Sequence, residues 1–82
     1  MNKIFNEEEL IILANISKQY NYIARDLSNN LFVFKDKPHK GRVSWVGFGG
    51  KFVNIKIFDD VFKEIKFEDE EPIRIDDYVN RR

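Results

Sequence analysis

The chain has 82 residues, of which 43% are hydrophobic and 15% aromatic, and its fourteen basic residues balance fourteen acidic ones. This length predicts one domain, residues 1–82, near the small end of what folds on a single core. The absence of cysteine excludes a disulfide framework and a thiolate metal site, and it suits the reducing cytoplasm in which we expect the protein to lie. No apolar run approaches the roughly 18 to 20 residues of a membrane span, and acids at positions 7–9 replace the apolar stretch of an export signal.

The charges are segregated along the chain although they cancel overall. Residues 18–56 hold eight bases against two acids, whereas residues 59–77 hold nine acids against three bases. Either part is therefore a candidate docking field for a partner of the opposite charge.

An N-terminal helix is predicted to begin after Asn6. The Asn6 side chain is suited to cap the first turn, and Glu9, three residues later, completes a capping box. The apolar residues within 10–17 fall mainly on one broad arc at helical spacing, which indicates packing against a sheet. We expect the helix to end within residues 17–19.

Two strands joined by a turn are predicted to follow the helix. Residues 20–25 (YNYIAR) and 31–35 (LFVFK) are rich in β-forming residues, and the Asp and Asn residues within 26–30 favour a turn. The second strand is apolar on both faces, so its register stays open. Residues 36–42 are predicted to form a loop because Pro38 cannot donate to a strand ladder.

Residues 43–58 are predicted to form the central β-hairpin of the molecule. Gly49 and Gly50 separate two β-rich runs, and a two-residue turn needs the positive φ that glycine adopts freely. This turn pairs Phe52 with Gly47, so the ring can fold over bare backbone. Alternation then gives an apolar core face and a mixed face that is either half-exposed or a binding surface. The core face carries Val46, Phe48, Val53, Ile55 and Ile57, and the mixed face carries Val43, Trp45, Phe52, Asn54, Lys56 and Phe58.

The C-terminal part is predicted to add one strand and one short helix. Residues 59–62 indicate a capped helical turn, and residues 64–68 (EIKFE) alternate like an outer strand with Ile65 and Phe67 inward. Asp76 is placed to cap a helix over residues 77–82. The predicted fold class is α+β, with the N-terminal helix packed on one antiparallel sheet of about five strands and closed by the short C-terminal helix. A small barrel is the alternative if the sheet coils fully.

No residue pattern indicates catalysis or a cofactor, so we expect a protein that is not an enzyme. His39 has no second histidine or orienting acid nearby in sequence, and the three serines lie outside any nucleophile motif. The glycines within 47–50 are unlike a phosphate-binding loop, because that loop leads into a helix and here a strand pattern follows. We expect no metal site, since the acids of residues 68–71 lack the spacing of a calcium loop.

Two surfaces are candidates for binding a partner. The candidate protein-binding surface consists of the acidic segment and part of the mixed hairpin face, namely Glu68, Asp69, Glu70, Glu71, Trp45 and Phe52. The alternative is a nucleic-acid site on the basic loop of residues 35–42, which is flanked by the aromatic residues Phe34 and Trp45. Its bases are Lys35, Lys37, Lys40 and Arg42. The ordinary alternatives are an acidic edge that blocks aggregation, a solvated lysine-rich loop and a core tryptophan.

Several stretches together resemble a family of small uncharacterised proteins encoded by phages and prophages of low-GC Gram-positive bacteria. The stretches are YIARD at 22–26, KDKP at 35–38, Trp45, and IKFEDEEP at 65–72, where Phe67 stands in place of the family's more common Trp. The resemblance implies a phage accessory protein that binds and modulates or inhibits a host or defence protein, in its sharpest form a nucleic-acid-binding defence enzyme. It implies no catalytic residue. From the residues themselves we expect no cofactor and no membrane partner, and the oligomeric state stays open.

Overall fold

A computed structural model describes residues 3–47 and 49–81. It contains one α-helix, α1 (Glu7–Asn15), and two short 3₁₀ helices, Lys56–Phe58 and Ile75–Asp77. Six strands complete the fold: β1 (Tyr22–Arg25), β2 (Leu31–Phe34), β3 (His39–Lys40), β4 (Trp45–Val46), β5 (Phe52–Asn54) and β6 (Ile73–Arg74). The predicted α+β class is confirmed.

The strands form two sheets. Four antiparallel strands lie in the order β5-β2-β1-β6, and β3 pairs separately with β4. The predictions of strands at 20–25 and 31–35 are confirmed within a few residues at their ends. The intervening turn is also confirmed, because Asp26 Oδ1 accepts hydrogen bonds from two following N–H groups and Asn29 has a φ of 70°.

The central hairpin prediction is wrong. Trp45 pairs with Lys40, whereas Phe52 pairs with Phe34, so the two predicted strands belong to different sheets. The reason is that β2 is apolar on both faces and takes a neighbour on each side, β1 and β5. The prediction of the core face is therefore also wrong, because Val46 is 41% and Ile57 84% exposed. Phe48, which was predicted on the same face, lies outside the described residues.

The four-stranded sheet is covered on both faces by two separate apolar clusters. The first joins Ile23 and Leu31 of the sheet to Leu13 of α1 and to buried residues of the C-terminal part, among them Phe62. The second lies on the opposite face and joins Phe34 and Ala24 to Trp45, with three partly buried residues, Tyr22, Phe32 and Phe67, packed against it. The β3–β4 ribbon therefore covers one face and α1 covers the other.

Helix α1 begins as predicted and ends early. The Asn6 side chain accepts from the Glu9 N–H at 2.8 Å, and the Glu9 carboxylate accepts from the Asn6 N–H at 2.9 Å, which confirms the capping box. The helix ends at Asn15, where the Ile16 N–H donates to the Leu13 carbonyl. Ala14, predicted on the buried arc, is exposed.

The C-terminal part contains less regular structure than predicted. Residues 64–68 are not a strand but a chain of turns, although Ile65 is buried and Phe67 half-buried as expected. In place of the predicted helical turn at 59–62, the structure has the 3₁₀ helix Lys56–Phe58 followed by a turn at 59–60. The Asp59 carboxylate accepts from the Leu31 N–H. The helix predicted over residues 77–82 is displaced and shortened to the 3₁₀ helix Ile75–Asp77, which includes Asp76 instead of being capped by it. Residues 79–81 are not helical, and Arg82 lies outside the described residues.

Candidate protein-binding site

The acidic segment and the basic loop contact each other. Lys37 Nζ lies 2.7 Å from Glu71 Oε1, and this hydrogen bond raises the pKa of Lys37. Lys40 Nζ donates to the Asp69 carbonyl at 2.9 Å, and Lys3 Nζ pairs with the Asp69 carboxylate at 2.8 Å. The two charged surfaces that the sequence offered as separate sites therefore neutralise each other in part.

Lys40 and Trp45 make further contacts with other residues of the chain. Lys40 Nζ lies 4.8 Å from the centre of the Phe67 ring and 5.7 Å from that of Trp45, both within the range of cation–π attraction. Trp45 is only 8% exposed, and its indole N–H donates to the Arg25 carbonyl at 3.2 Å. Trp45 is thus mostly buried, as in the core alternative, although it also lines the groove described next. Lys35, Arg42, Glu68 and Glu70 stay exposed.

An aromatic groove of about 260 Å³ lies between β4 and the four-stranded sheet. Phe52 is 54% exposed at its rim and stacks on Phe34 with ring centres 5.9 Å apart. Both rings lie over Gly47: a Cβ there would be 3.5 Å from Phe34 and 3.9 Å from Phe52. The ring therefore covers bare backbone as predicted, without the predicted strand pairing. The groove is lined by Asp26, Phe32, Phe34, Ser44, Trp45, Val46, Gly47 and Phe52.

Strand β5 is an edge strand with outward-facing main-chain groups. The Lys35 N–H donates to the Lys51 carbonyl and the Ile55 N–H donates to the Leu31 carbonyl, each at 2.9 Å. Residues 51, 53 and 55 therefore bond to β2, because the bonds of an antiparallel pair fall at every second residue. It follows that Phe52 and Asn54 direct their N–H and C=O groups away from the sheet. All three residues of β5 are exposed.

A second cleft, of about 350 Å³, is polar and lies beside the Arg25 guanidinium. All five N–H donors of Arg25 are used by main-chain carbonyls, so this cation is not available to a ligand. His39 is exposed on β3. Across residues 3–47 and 49–81, no three His, Cys, Asp or Glu side chains are grouped so as to hold a metal ion.

Comparison with models of protein families, with curated proteins and with solved structures finds no match to this chain. The resemblance to phage proteins therefore stays a prediction, as do the absence of enzymatic activity and the cytoplasmic location. In the part of the chain that the structure describes, no helix combines the length and the apolar character needed to cross a bilayer.

Sequence reasoning missed the exposed edge of β5, because the hairpin prediction gave β5 the wrong neighbour. The available signal was the sequence LFVF of β2, which is apolar on both faces. Such a strand is typical of a central position with neighbours on both sides. That reading would have left Phe52–Asn54 as an outer strand.

Proposed function

We propose that this chain is a non-enzymatic protein-binding module that captures an extended segment of a partner protein by strand addition to β5. The observation that carries the proposal is the exposed edge at which Phe52 and Asn54 direct their main-chain groups outward. In strand addition, main-chain hydrogen bonds supply affinity, and pockets for alternate side chains supply specificity. An open edge of this kind is one that proteins otherwise protect against pairing.

The aromatic groove supports the same proposal. Phe52 stands at the edge of the sheet and also forms the rim of the groove. A captured strand therefore presents every second side chain on the face that carries the groove. Phe52 is half-exposed at the rim, and the buried rings of Phe34 and Trp45 line the groove beside it. Aromatic side chains in such pockets are typical anchors of protein interfaces.

The biological role that we propose is that of an accessory protein that modulates or inhibits a host or defence protein. This part rests on the phage-protein resemblance. The acidic segment is less suited to carry the binding than predicted, because the Asp69 carboxylate already pairs with Lys3 and the Glu71 carboxylate with Lys37, while Lys40 donates to the Asp69 carbonyl. The contacts of Lys37 and Lys40 also weaken the nucleic-acid alternative, because they leave Lys35 and Arg42 as the bases of that loop for binding phosphate.

The experiment that tests strand addition compares two substitutions at one position. The immobilised protein is exposed to a displayed library of random peptides of about ten residues, which exceed the length of β5 when extended. Asn54→Pro removes the outward N–H, whereas Asn54→Ala keeps it and removes only the side chain. We expect enriched peptides to bind the proline variant about tenfold more weakly and the alanine variant as tightly as the parent.

A folding control accompanies the comparison. The Val53 amide bonds to β2, so it should stay protected from hydrogen exchange in Asn54→Pro if the sheet is intact. Should the proline variant fail to fold, Phe52→Lys places a charge on the exposed edge and serves in its place. Failure to enrich any peptide, or equal binding by the parent and a folded edge variant, would contradict the proposal. Binding of a labelled single-stranded oligonucleotide that is lost on replacing Lys35 and Arg42 with alanine would favour the nucleic-acid alternative instead.

A further inference from the structure

We infer that the segment captured at β5 is acidic, with a carboxylate opposite Lys51 and an aliphatic residue two positions away, opposite Val53. This inference rests on the proposed strand addition and names the chemistry of the partner. It is carried by two lysines that the sheet holds side by side, next to the open edge.

Lys35 and Lys51 lie directly opposite each other at the end of the β2–β5 pair. Phe34 pairs with Phe52, and the bond from the Lys35 N–H to the Lys51 carbonyl continues that register by one residue. Opposite residues share a face with their Cβ atoms about 5 Å apart, where like charges are unfavourable. The nearest acid in sequence, Asp36, has its carboxylate against Gly50. Both lysines are exposed, and a carboxylate from outside would relieve their repulsion.

An added strand delivers side chains to this face at fixed positions. The partner residue opposite Lys51 emerges on the face that carries Lys51 and Lys35, so a carboxylate there meets two ammonium groups. Two residues along, the partner side chain lies beside Val53, which is 43% exposed. An aliphatic side chain is expected there, because it would cover the exposed part of Val53. The residue between them lies opposite Phe52, on the face of the aromatic groove. The expected pattern is therefore an acid, an apolar residue and an aliphatic residue in consecutive positions.

The same lysines disfavour a second copy of this chain as the occupant. If two β5 strands pair antiparallel about Val53, Lys51 of one copy lies opposite Ile55 of the other. That pairing places an aliphatic side chain, not a carboxylate, opposite each Lys51, and the same holds at both ends by symmetry. An acidic segment of a different protein supplies the carboxylate that this pairing lacks.

The test uses the peptides enriched from the random library, together with versions in which their acids are replaced by the corresponding amides. We expect the amide versions to bind about tenfold more weakly, as expected for loss of a charge-assisted contact. Lys51→Glu should weaken the acidic peptides further and select lysine-bearing peptides from the same library. Lys63→Glu makes the same change in net charge beside the polar cleft and should leave peptide binding unchanged.

The outcomes separate this inference from the proposed function. Peptides that bind, depend on the Asn54 N–H and show no acidic preference would overturn the inference and leave strand addition in place. An equal loss of binding in Lys51→Glu and Lys63→Glu would also overturn it, since net charge alone would then explain the effect. A dimer that is detected by light scattering and dissociated by Asn54→Pro would replace the acidic partner with a second copy.

Discussion

Arg25 is the residue on which the irregular part of the molecule depends most. It is 6% exposed, and its guanidinium donates five hydrogen bonds of 2.7 to 3.1 Å to main-chain carbonyls. Burial lowers the pKa of Arg25, an effect opposed by nearby acids of which Asp59 contributes most. The planar guanidinium supplies hydrogen bonds to main-chain carbonyl groups that have no partner in a helix or strand. The acceptors belong to Asn29, Asp59, Val61, Phe62 and Ile65.

We predict that Arg25→Lys destabilises the protein by about 3 kcal/mol, because lysine has three donors on a flexible stem and leaves buried carbonyls unsatisfied. The free energy of unfolding in urea measures the effect. Arg74→Lys is the control, since Arg74 is exposed and its one ion pair within residues 3–47 and 49–81 is with the exposed Asp77. It should cost less than about 0.5 kcal/mol. Similar losses in the two variants would show that the five bonds contribute little.

Arg81 holds the C-terminal residues against the loop that follows α1. Its side chain is 2% exposed, with Nη1 donating to three carbonyls and Nε donating to Asp76 Oδ1 at 2.8 Å. This hydrogen bond holds the pKa of Asp76 below its ordinary value of 3.8. The three carbonyls belong to Ile16, Ser17 and Tyr20. Protonation of Asp76 in acid therefore weakens its contact with Arg81 and lowers the stability of the fold.

We predict that Asp76 contributes stability that is present above pH 3.8 and lost as the pH falls below it. The sign follows because a carboxyl with a lowered native pKa binds its proton more weakly in the folded state than in the unfolded state. The urea midpoint measured from about pH 5 to about pH 2 should fall less steeply in Asp76→Asn than in the parent. Parallel profiles for the two proteins would contradict this prediction.

At the scale of elements, Glu9 ties α1 to the C-terminal coil. One carboxylate oxygen closes the capping box on Asn6, and the other accepts from the Phe62 N–H at 2.8 Å. Phe62 has a φ of 58° and a fully buried side chain. A left-handed residue other than glycine is unfavourable by itself. The bond from Glu9 therefore helps to fix the turn that inserts the Phe62 ring into the core.

We predict that Glu9→Ala destabilises the protein by about 2 kcal/mol, because it removes half of the cap and leaves the buried Phe62 N–H without an acceptor. Glu8→Ala is the matched control on an exposed position of the same first turn. It should cost less than about 1 kcal/mol, the scale of a favourable charge at a helix N-terminus. Urea unfolding of both variants gives the comparison, and equal losses would assign the effect to the helix dipole alone.

At the scale of the whole molecule, the two apolar clusters share one sheet. Trp45 belongs to the cluster on one face, and α1 packs into the cluster on the other. Strands β1 and β2 contribute side chains to both clusters, so neither cluster persists without the same backbone pairing. The bond from the Trp45 indole to the Arg25 carbonyl ties the second cluster to the backbone of β1.

We therefore predict a single cooperative unfolding transition. Trp45 is the only tryptophan in the chain, so its fluorescence reports on one face of the sheet, while far-UV circular dichroism reports mainly on α1. The two signals should change at the same urea concentration, as they do when one domain unfolds in a two-state manner. A separation between the two midpoints would show that the β3–β4 ribbon unfolds independently.

The sequence by itself determined the elements whose signals are local. The Asn6–Glu9 box, the Asp26 turn and the β-rich runs of β1 and β2 each depend on residues a few positions apart, and each was predicted correctly. The contact of the Phe52 ring with Gly47 was also predicted. Helix capping and turn formation are decided by hydrogen bonds within one stretch of chain, which makes them readable from that stretch alone.

Only the tertiary structure decided which strands pair and where residues 55–81 lie. A run such as Phe52–Asn54 fits several apolar neighbours, and the choice of β2 depends on contacts about 20 residues away in sequence. The path of the coil after β5 depends on hydrogen bonds from the Arg25 guanidinium and to the Glu9 carboxylate. These bonds join residues far apart in sequence, so no local pattern predicts them. For the same reason the sequence offered Trp45 and the charged segments as binding surfaces. The fold buries Trp45, pairs the segments with each other and leaves the edge of β5 open, because sheet order is a property of the whole chain.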